Sequence, residues 1–286
     1  PTSRHFIRNN GIPPENVNPE TWELTIDGLV KTPMKLSIAD LKKNFKTHTL
    51  ALAIECGGNG RSAFDPPAKG NQWTLGAVAC SEWTGVKLKD VLEKAGVKSN
   101  AIYTAHEGAD AHLSGKPGKL PISRGMPIEK AMTDNILIAW AQNGAPIHPN
   151  NGAPLRLVVP GWPGSLSHKW LNRIYLRDVE HDGPKMTGTA YRVPKYPVAP
   201  GTKVDKKDFE IIERMPVKSL ITSHKTGSKI GKEIEVKGHA WSGDRKVKTV
   251  EISIDFGTTW KKVKLNDPIN DGAWQNWSGK VKFPQA

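Results

Sequence analysis

Along the chain, apolar and polar positions fall into two regimes that meet near residue 190. In the first, Trp22-Glu23-Leu24-Thr25-Ile26-Asp27-Gly28 alternates and ends in Asp-Gly, which predicts a strand running into a turn. Ser37 opening the stretch to Lys43 predicts a capped helix start, and Val86 to Ala95, followed by Gly96, predicts an amphipathic helix with a glycine stop. Leu50 to Ile54, Ile136 to Trp140 and Arg156 to Pro160 read as strands, the last two largely buried. The stretches between them are long and rich in Gly, Pro and Asn, a pattern that in compact domains usually carries function. Tyr191 to Gly201, with three prolines, predicts a hinge. Beyond it, Val217 to Thr222, Glu233 to Ala240, Val247 to Asp255 and Trp260 to Leu265 alternate as short strands, with Gly257 marking a tight turn between the last two. Evenly spaced strands without a helix signal predict an antiparallel β-sandwich.

Composition narrows the class. At 286 residues, 37% hydrophobic and 24% charged, the chain is long enough for two domains with real cores and is not disordered. No apolar run is long enough to span a bilayer. The chain opens at Pro1, which suggests a processed or trimmed N-terminus. The net charge of +13 suits an acidic partner or an anionic ligand. Many of the lysines lie in the C-terminal third, interleaved with Asp and Glu, and read as solvated surface. With no recognition motif beside them, nucleic acid is not an expected partner.

The candidate chemistry centres on Cys56. The run ending in Ile54 breaks into Glu55-Cys56-Gly57-Gly58-Asn59-Gly60-Arg61, which puts sulfur at the mouth of a glycine-rich turn with a permanent cation nearby. Such a cysteine is a metal ligand or a nucleophile rather than a small core hydrophobe. As a nucleophile it would need a base, and His5, His106 and His168 are the candidates. Cys80, in a small-residue apolar stretch with no nearby cation, reads as buried and inert. Two cysteines make no disulfide framework, and CxxC, HExxH and CxxCH are absent, which argues against a zinc site or a covalently attached haem.

Several segments in order resemble the sulfite oxidase family of molybdenum enzymes: Phe6-Ile7-Arg8-Asn9-Asn10, Glu55 to Arg61, Trp73-Thr74-Leu75-Gly76-Ala77 and His106-Glu107-Gly108-Ala109-Asp110. They continue with Asn143-Gly144, Asn151 to Gly161, Ser167-His168-Lys169-Trp170-Leu171 and Gly238-His239-Ala240-Trp241-Ser242-Gly243. The resemblance covers nearly the whole chain and closely parallels bacterial sulfite dehydrogenases without a haem domain. It implies an α+β molybdopterin domain over residues 1–190, followed by an immunoglobulin-like β-sandwich dimerisation domain over residues 191–286. It implies Cys56 as the molybdenum ligand, with Arg8, Arg61, Tyr191 and Trp73 around the substrate. For the pterin and its phosphate it implies Phe6, Ile7, Arg8, Asn9, Asn10, Asp110, Asn151, Arg156, Ser167, His168 and Lys169. A guanidinium can hold two oxygens of sulfite at once, and Arg, Ser, His and Lys near glycine-rich turns suit a phosphate. Taken alone, Arg156 would read as a surface ion pair and His168 as a structural histidine.

The implied activity is oxidation of sulfite to sulfate by oxygen-atom transfer at molybdenum, with electrons passed to an external acceptor such as a c-type cytochrome. No cytochrome b5-like haem domain lies in the sequence, so no intrinsic haem is expected. Asn10 and Asn151 stand where animal members often have histidine. They can hydrogen-bond the pterin but cannot become cationic. The family usually continues past the point where this sequence stops, so a sandwich cut short is expected. A periplasmic location and a homodimer are implied by the family alone. The competing readings are a sulfane dehydrogenase or another oxyanion oxidoreductase of the same family, and a non-catalytic binding module on the same scaffold.

Overall fold

The computed structural model describes residues 1–199 and 201–284. Two sheets and a long buried core make up the first three fifths of the chain. Strands β1 (Glu23–Gly28) and β2 (Met34–Ser37) form a hairpin that packs helix α1 (Ile38–Asn44) against the core. Ser37 and Asp40 close a reciprocal capping box at the start of α1, as the sequence predicts. The long antiparallel pair β3 (Thr47–Glu55) and β4 (Val78–Lys87) follows, then helix α2 (Leu88–Ala95) stopped by Gly96. The helix begins at Leu88, two residues later than the pattern predicts, because Val86 and Lys87 pair with the next central strand. Strand β5 (Tyr103–Gly108), the short helix α3 (Ile128–Ala131), and strands β6 (Leu137–Gln142), β7 (Ala145–Pro146), β8 (Arg156–Val158) and β9 (Leu171–Arg177) complete this part. One sheet runs β2-β1-β9-β5; the other runs β3-β4-β6-β7, with β8 also pairing β6.

Side-chain parity along β8 decides where the site's charge goes. Leu155, Leu157 and Val159 enter the main core with Ile138, Leu88 and Ile174. Val158 turns to a second cluster with Leu52, Ile54, Trp83 and Leu137, and Arg156 shares its side of the strand. That parity carries Arg156 under the sheet instead of out to water, and it is 3% exposed.

Strand β10 (Arg192–Pro194) lies in the predicted hinge, just beyond the expected boundary at residue 190, and pairs with β11 (Phe209–Ile211) past the hinge's end to form a two-stranded ribbon. The second domain pairs β12 (Lys218–Ile221), β13 (Glu233–Trp241), β16 (Lys264–Leu265) and β17 (Gln275–Lys282) in one sheet. The hairpin of β14 (Glu251–Ile252) and β15 (Lys261–Lys262) accompanies it. Val236, Ala240, Val247, Val250, Trp277 and Val281 fill the core of this domain. The strands predicted over 247–255 and 260–265 shrink to pairs of residues. Ser253 and Asp255 bind the backbone of Gly257 and Thr259, and this local bonding competes with the ladder.

The two domains meet along β3, the edge of its sheet. The side chain of Asn270 accepts from the Ala51 N–H and donates to the Ala51 carbonyl, while the Ala53 N–H donates to the Gly272 carbonyl. An edge that would otherwise stay unpaired is therefore closed by the second domain. Lys130, buried, donates to Asp244 at 2.6 Å, and Trp162 Nε1 donates to the same carboxylate at 2.9 Å. Behind the site lies a buried polar layer. Arg177 donates to His181 Nδ1, His181 Nε2 to Ser123 Oγ, and Ser123 Oγ to the His106 carbonyl. Burial drives these imidazoles to the neutral form: His181 is pushed down to about 4, His5 and His168 to about 3, and His106 well below its ordinary value. Among the described residues no helix is long and apolar enough to cross a membrane.

Two outcomes follow for stability. Asp244→Ala leaves the buried Lys130 without its counter-charge and should cost about 3 kcal/mol, read as a lower urea midpoint; an unchanged midpoint would show the pair contributes little. The histidines, neutral when folded and ordinary when unfolded, contribute stability that is complete above pH 6.5 and lost as pH falls towards 4. Each adds a slope of about 1.4 kcal/mol per pH unit in that window, while Asp110, pushed up to about 6, opposes them and offsets roughly one. Urea midpoints at pH 7.5, 6 and 5 should fall steadily, and a flat series would contradict neutral burial.

Candidate active site

Strand β3 delivers Cys56 to the end of a cleft, and the chain must then turn sharply. Gly60 sits at φ +83°, a region that L side chains rarely adopt, and a Cβ on Gly58 would stand 2.7 Å from Arg61 Nη1. The Cys56 N–H donates to the Ala77 carbonyl at 2.9 Å, and the Gly58 N–H points at Sγ from 3.5 Å. Both cysteines are free thiols. Burial pushes the Cys80 thiol up to about 11, in keeping with an inert role.

The cleft beyond Cys56 opens to solvent, leaves about 60 Å³ of space for water-sized molecules and gathers most of the residues singled out in the sequence. Phe6, Arg8, Asn9, Asn10, Asp110, Arg156, Ser167, His168, Lys169 and Tyr191 all line it with Cys56. Arg156 donates to the Asn151 carbonyl at 2.9 Å and lies over the Trp83 ring at 5.1 Å, with its Nε unpartnered. Lys169 Nζ donates to Asn9 Oδ1 at 2.6 Å and to the Asn150 carbonyl at 2.5 Å. Ser167 Oγ accepts from the Val159 N–H. His168 Nε2 accepts from the Arg124 N–H at 3.1 Å, so the ring proton of the neutral imidazole resides on Nδ1.

The electrostatics of this floor are one-sided. Arg156 is pulled down to about 9 and Lys169 to about 6, both chiefly by burial and Lys169 further by Arg156. Asp110, the acid of the cleft, is pushed up to about 6 by burial. Every shift runs toward neutrality, the signature of charged groups held from water without adequate counter-charge. An anion seated on the floor would favour the protonated form of Lys169 and give the buried Arg156 a counter-charge.

Four of the expected residues sit apart from the cleft lining. Arg61 folds back along its own loop, donates to the Asn71 carbonyl at 3.1 Å and packs over Gly58 and Gly70. Trp73 stands behind Phe6, edge to face at 6.1 Å between ring centroids. Ile7 is 46% exposed. Asn151 is buried beneath the floor, with its Oδ1 unpartnered.

Arg124 is a residue that sequence reasoning missed. Its guanidinium lies 4.5 Å over the Tyr191 ring, and Nη1 donates to Ser165 Oγ at 2.9 Å. Nη2 is buried without a partner, and no ion pair to Arg124 occurs among the described residues. Burial pulls it down to about 10. Tyr191 itself holds φ +51°, an uncommon position for a bulky residue, and its carbonyl accepts from the Ile212 N–H. The available signal was an arginine inside an otherwise small and apolar run, Pro121 to Ile128.

A molybdenum–pterin group fits this donor set. Among the described residues no three His, Cys, Asp or Glu side chains are close enough to share a metal ion. A soft metal on Cys56 would thus draw its remaining ligands from outside the protein, as a pterin dithiolene provides. The cation-rich floor and the unpartnered Arg156 Nε suit a phosphate.

Comparison with known proteins agrees. Residues 10–185 match the family described as oxidoreductase molybdopterin binding domain, and residues 209–285 match the Mo-co oxidoreductase dimerisation domain. Sulfite oxidase of Gallus gallus is 32% identical over 289 residues, covering 95% of this chain and 61% of that protein. A nitrate reductase [NADH] of Ulva prolifera is 30% identical over 313 residues, covering 100% of this chain and 35% of that protein. The crystal structure of the sulfane dehydrogenase SoxCD from Paracoccus pantotrophus superposes with a TM-score of 0.75 at 27% identity, covering 98% of this chain and 71% of that one. The chain spans about half to three fifths of the length of its sulfite oxidase relatives. With the cleft and both domains accounted for, the chain belongs to the sulfite oxidase family of molybdopterin-binding oxidoreductases.

Proposed function

We propose that the chain carries the molybdenum site of a sulfite dehydrogenase, which oxidises sulfite to sulfate and passes electrons to an external acceptor such as a c-type cytochrome. The observation that carries this reading is the convergence of Cys56, Arg8 and Tyr191 on the cleft whose floor is Arg156, Ser167, His168 and Lys169. When bound, the molybdenum–pterin group supplies oxygen-atom transfer and accepts two electrons. The residues supply the rest. Cys56 ligates the metal, and Ser167, His168, Lys169 and Arg156 hold the pterin phosphate. Arg8 is the cation placed for the oxyanion. The Tyr191 hydroxyl is placed to donate a hydrogen bond to a substrate oxygen. A periplasmic homodimer, joined through the second domain, completes the reading.

One observation favours a second substrate class. Gly57 lines both the inner cleft and a wide groove between the domains, bordered by Phe64, Leu75, Arg192, Ile211 and Leu220. A groove of that kind admits a larger donor, such as a sulfane sulfur carried on a protein cysteine.

Full-length protein from a host that makes the cofactor should carry close to one molybdenum per chain, and Cys56→Ser should lose its metal-centred spectrum. A folded wild-type chain without molybdenum would overturn the reading. Arg8→Ala should raise the sulfite KM by about a hundredfold, the value of a charge-assisted contact of 2–3 kcal/mol, with metal content kept. Equal loss of metal would reassign Arg8 to the pterin. Turnover with a cysteine-bound sulfane and none with sulfite would establish the second class.

A further inference from the structure

The residue just before the metal ligand is a buried carboxylate that the chemistry above does not use. Glu55 is 3% exposed. Along β3, Leu52 and Ile54 face the cluster beneath the sheet, so Glu55 emerges on the other side, toward the second domain. Three side chains donate to it. Asn59 Nδ2 reaches Oε1 at 3.0 Å, Lys218 Nζ reaches the same oxygen at 2.6 Å, and Trp241 Nε1 reaches Oε2 at 2.8 Å. Asn59 belongs to the Cys56 turn. Lys218 opens β12 and Trp241 closes β13, so both belong to the second domain.

The contacts form a closed circuit around Cys56. Asn59 Oδ1 accepts from the Ala77 N–H, the Cys56 N–H donates to the Ala77 carbonyl, and the Asn59 N–H donates to the Cys56 carbonyl. Lys218 Nζ also lies 3.4 Å from the Asn59 carbonyl. A buried ion pair adds little to stability compared with an apolar pair of the same shape. It does define direction, because both carboxylate oxygens are committed to fixed donors. Here it ties the turn that bears the sulfur to the ends of two strands in another domain.

We propose that Glu55 is a positioning residue through which the second domain, by Lys218 and Trp241, sets the placement of the Cys56 sulfur. The consequence for the metal rests on Cys56 being its ligand; the latch itself does not. The family describes this domain by dimerisation, and the latch assigns it a second task within a single chain.

The test labels Cys56 in the full-length, cofactor-free protein with iodoacetamide, following each thiol by mass spectrometry. Cys80, whose thiol burial pushes up to about 11, serves as the reference. Lys218→Met and Trp241→Phe each remove a donor from outside the turn; Lys218→Arg keeps the charge. Both losses should speed Cys56 labelling about tenfold, as expected when one buried hydrogen bond no longer restrains a segment, with Cys80 unchanged. Lys218→Arg should restore the slow rate. In metal-loaded protein, Lys218→Met should also shift the Mo(V) paramagnetic resonance spectrum. Wild-type Cys56 rates in both variants would overturn the latch, as would equal acceleration of Cys80, which signals general loosening. Failure of the metal reading would show separately, as wild-type protein that binds no molybdenum yet keeps the labelling pattern.

Discussion

Positive charge held out of water, with too little acid to balance it, is the constraint around which the molecule is arranged. Burial disfavours the charged forms of Arg156, Lys169 and Arg124, Lys169 most, and Asp110 alone is too weakened by burial to neutralise them. Such an arrangement is costly in an isolated chain and becomes favourable once an anion enters. The fold carries that cost through β8. Its flanking residues Leu155, Leu157 and Val159 anchor the strand in the main core, so Arg156 cannot swing to solvent without dragging them out. The aromatic ring of Trp83 then gives the guanidinium a face to lie on. Charge at this depth is therefore a property of the core packing as much as of the cleft.

The same logic explains why two domains are needed. Strand β3 ends at the Cys56 turn and lies on the edge of its sheet. Its outer backbone groups are bonded by Asn270 and Gly272, and its last residue is fixed by Lys218 and Trp241. The opposite wall of the cleft, Tyr191, stands where the chain leaves the first domain and is tied to Ile212 on the ribbon. Both jaws of the cleft are thus set by elements outside the first two sheets. A first domain on its own would keep the cationic floor but lose the definition of its mouth.

How much of this was legible in the sequence depends on the range of the interaction involved. The position of Cys56 at a cleft could be read directly, because an apolar strand that breaks into glycines just past a thiol must turn there. Arg156, Ser167, His168 and Lys169 needed the resemblance, since their burial comes from strand parity and not from local composition. The α2 start was misplaced by two residues because ladder pairing to β6 outcompetes the helical pattern at Val86 and Lys87. Arg61 illustrates the limit of spacing. It lies five residues from Cys56, yet the left-handed turn at Gly60 reverses the chain and sends its side chain over Gly70. Arg124 was invisible for the opposite reason: it is far from every motif in sequence, and only the pairing of residues 124–127 beside β5 brings it beneath Tyr191.

These placements divide the cations of the site by task. In the proposed reading Arg156, buried beneath the strand, and Lys169, already bonded to Asn9 and Asn150, serve a resident anion and not a molecule that enters and leaves with each turnover. Arg61 is occupied with its own loop. Arg8 donates through Nη1 to the Asn9 carbonyl but keeps its place in the cleft lining, and in the proposed reading its charge serves a transient oxyanion while Arg124 lies behind the Tyr191 ring. Under the proposed function, one cation at the front and one behind an aromatic face would hold a small oxyanion less firmly than two direct guanidinium contacts. Such a balance would suit the proposed sulfite and sulfate pair, which differ by a single oxygen atom and would use the same few donors. Discrimination between them would then fall to the Cys56 side of the cleft, where the proposed Glu55 latch acts.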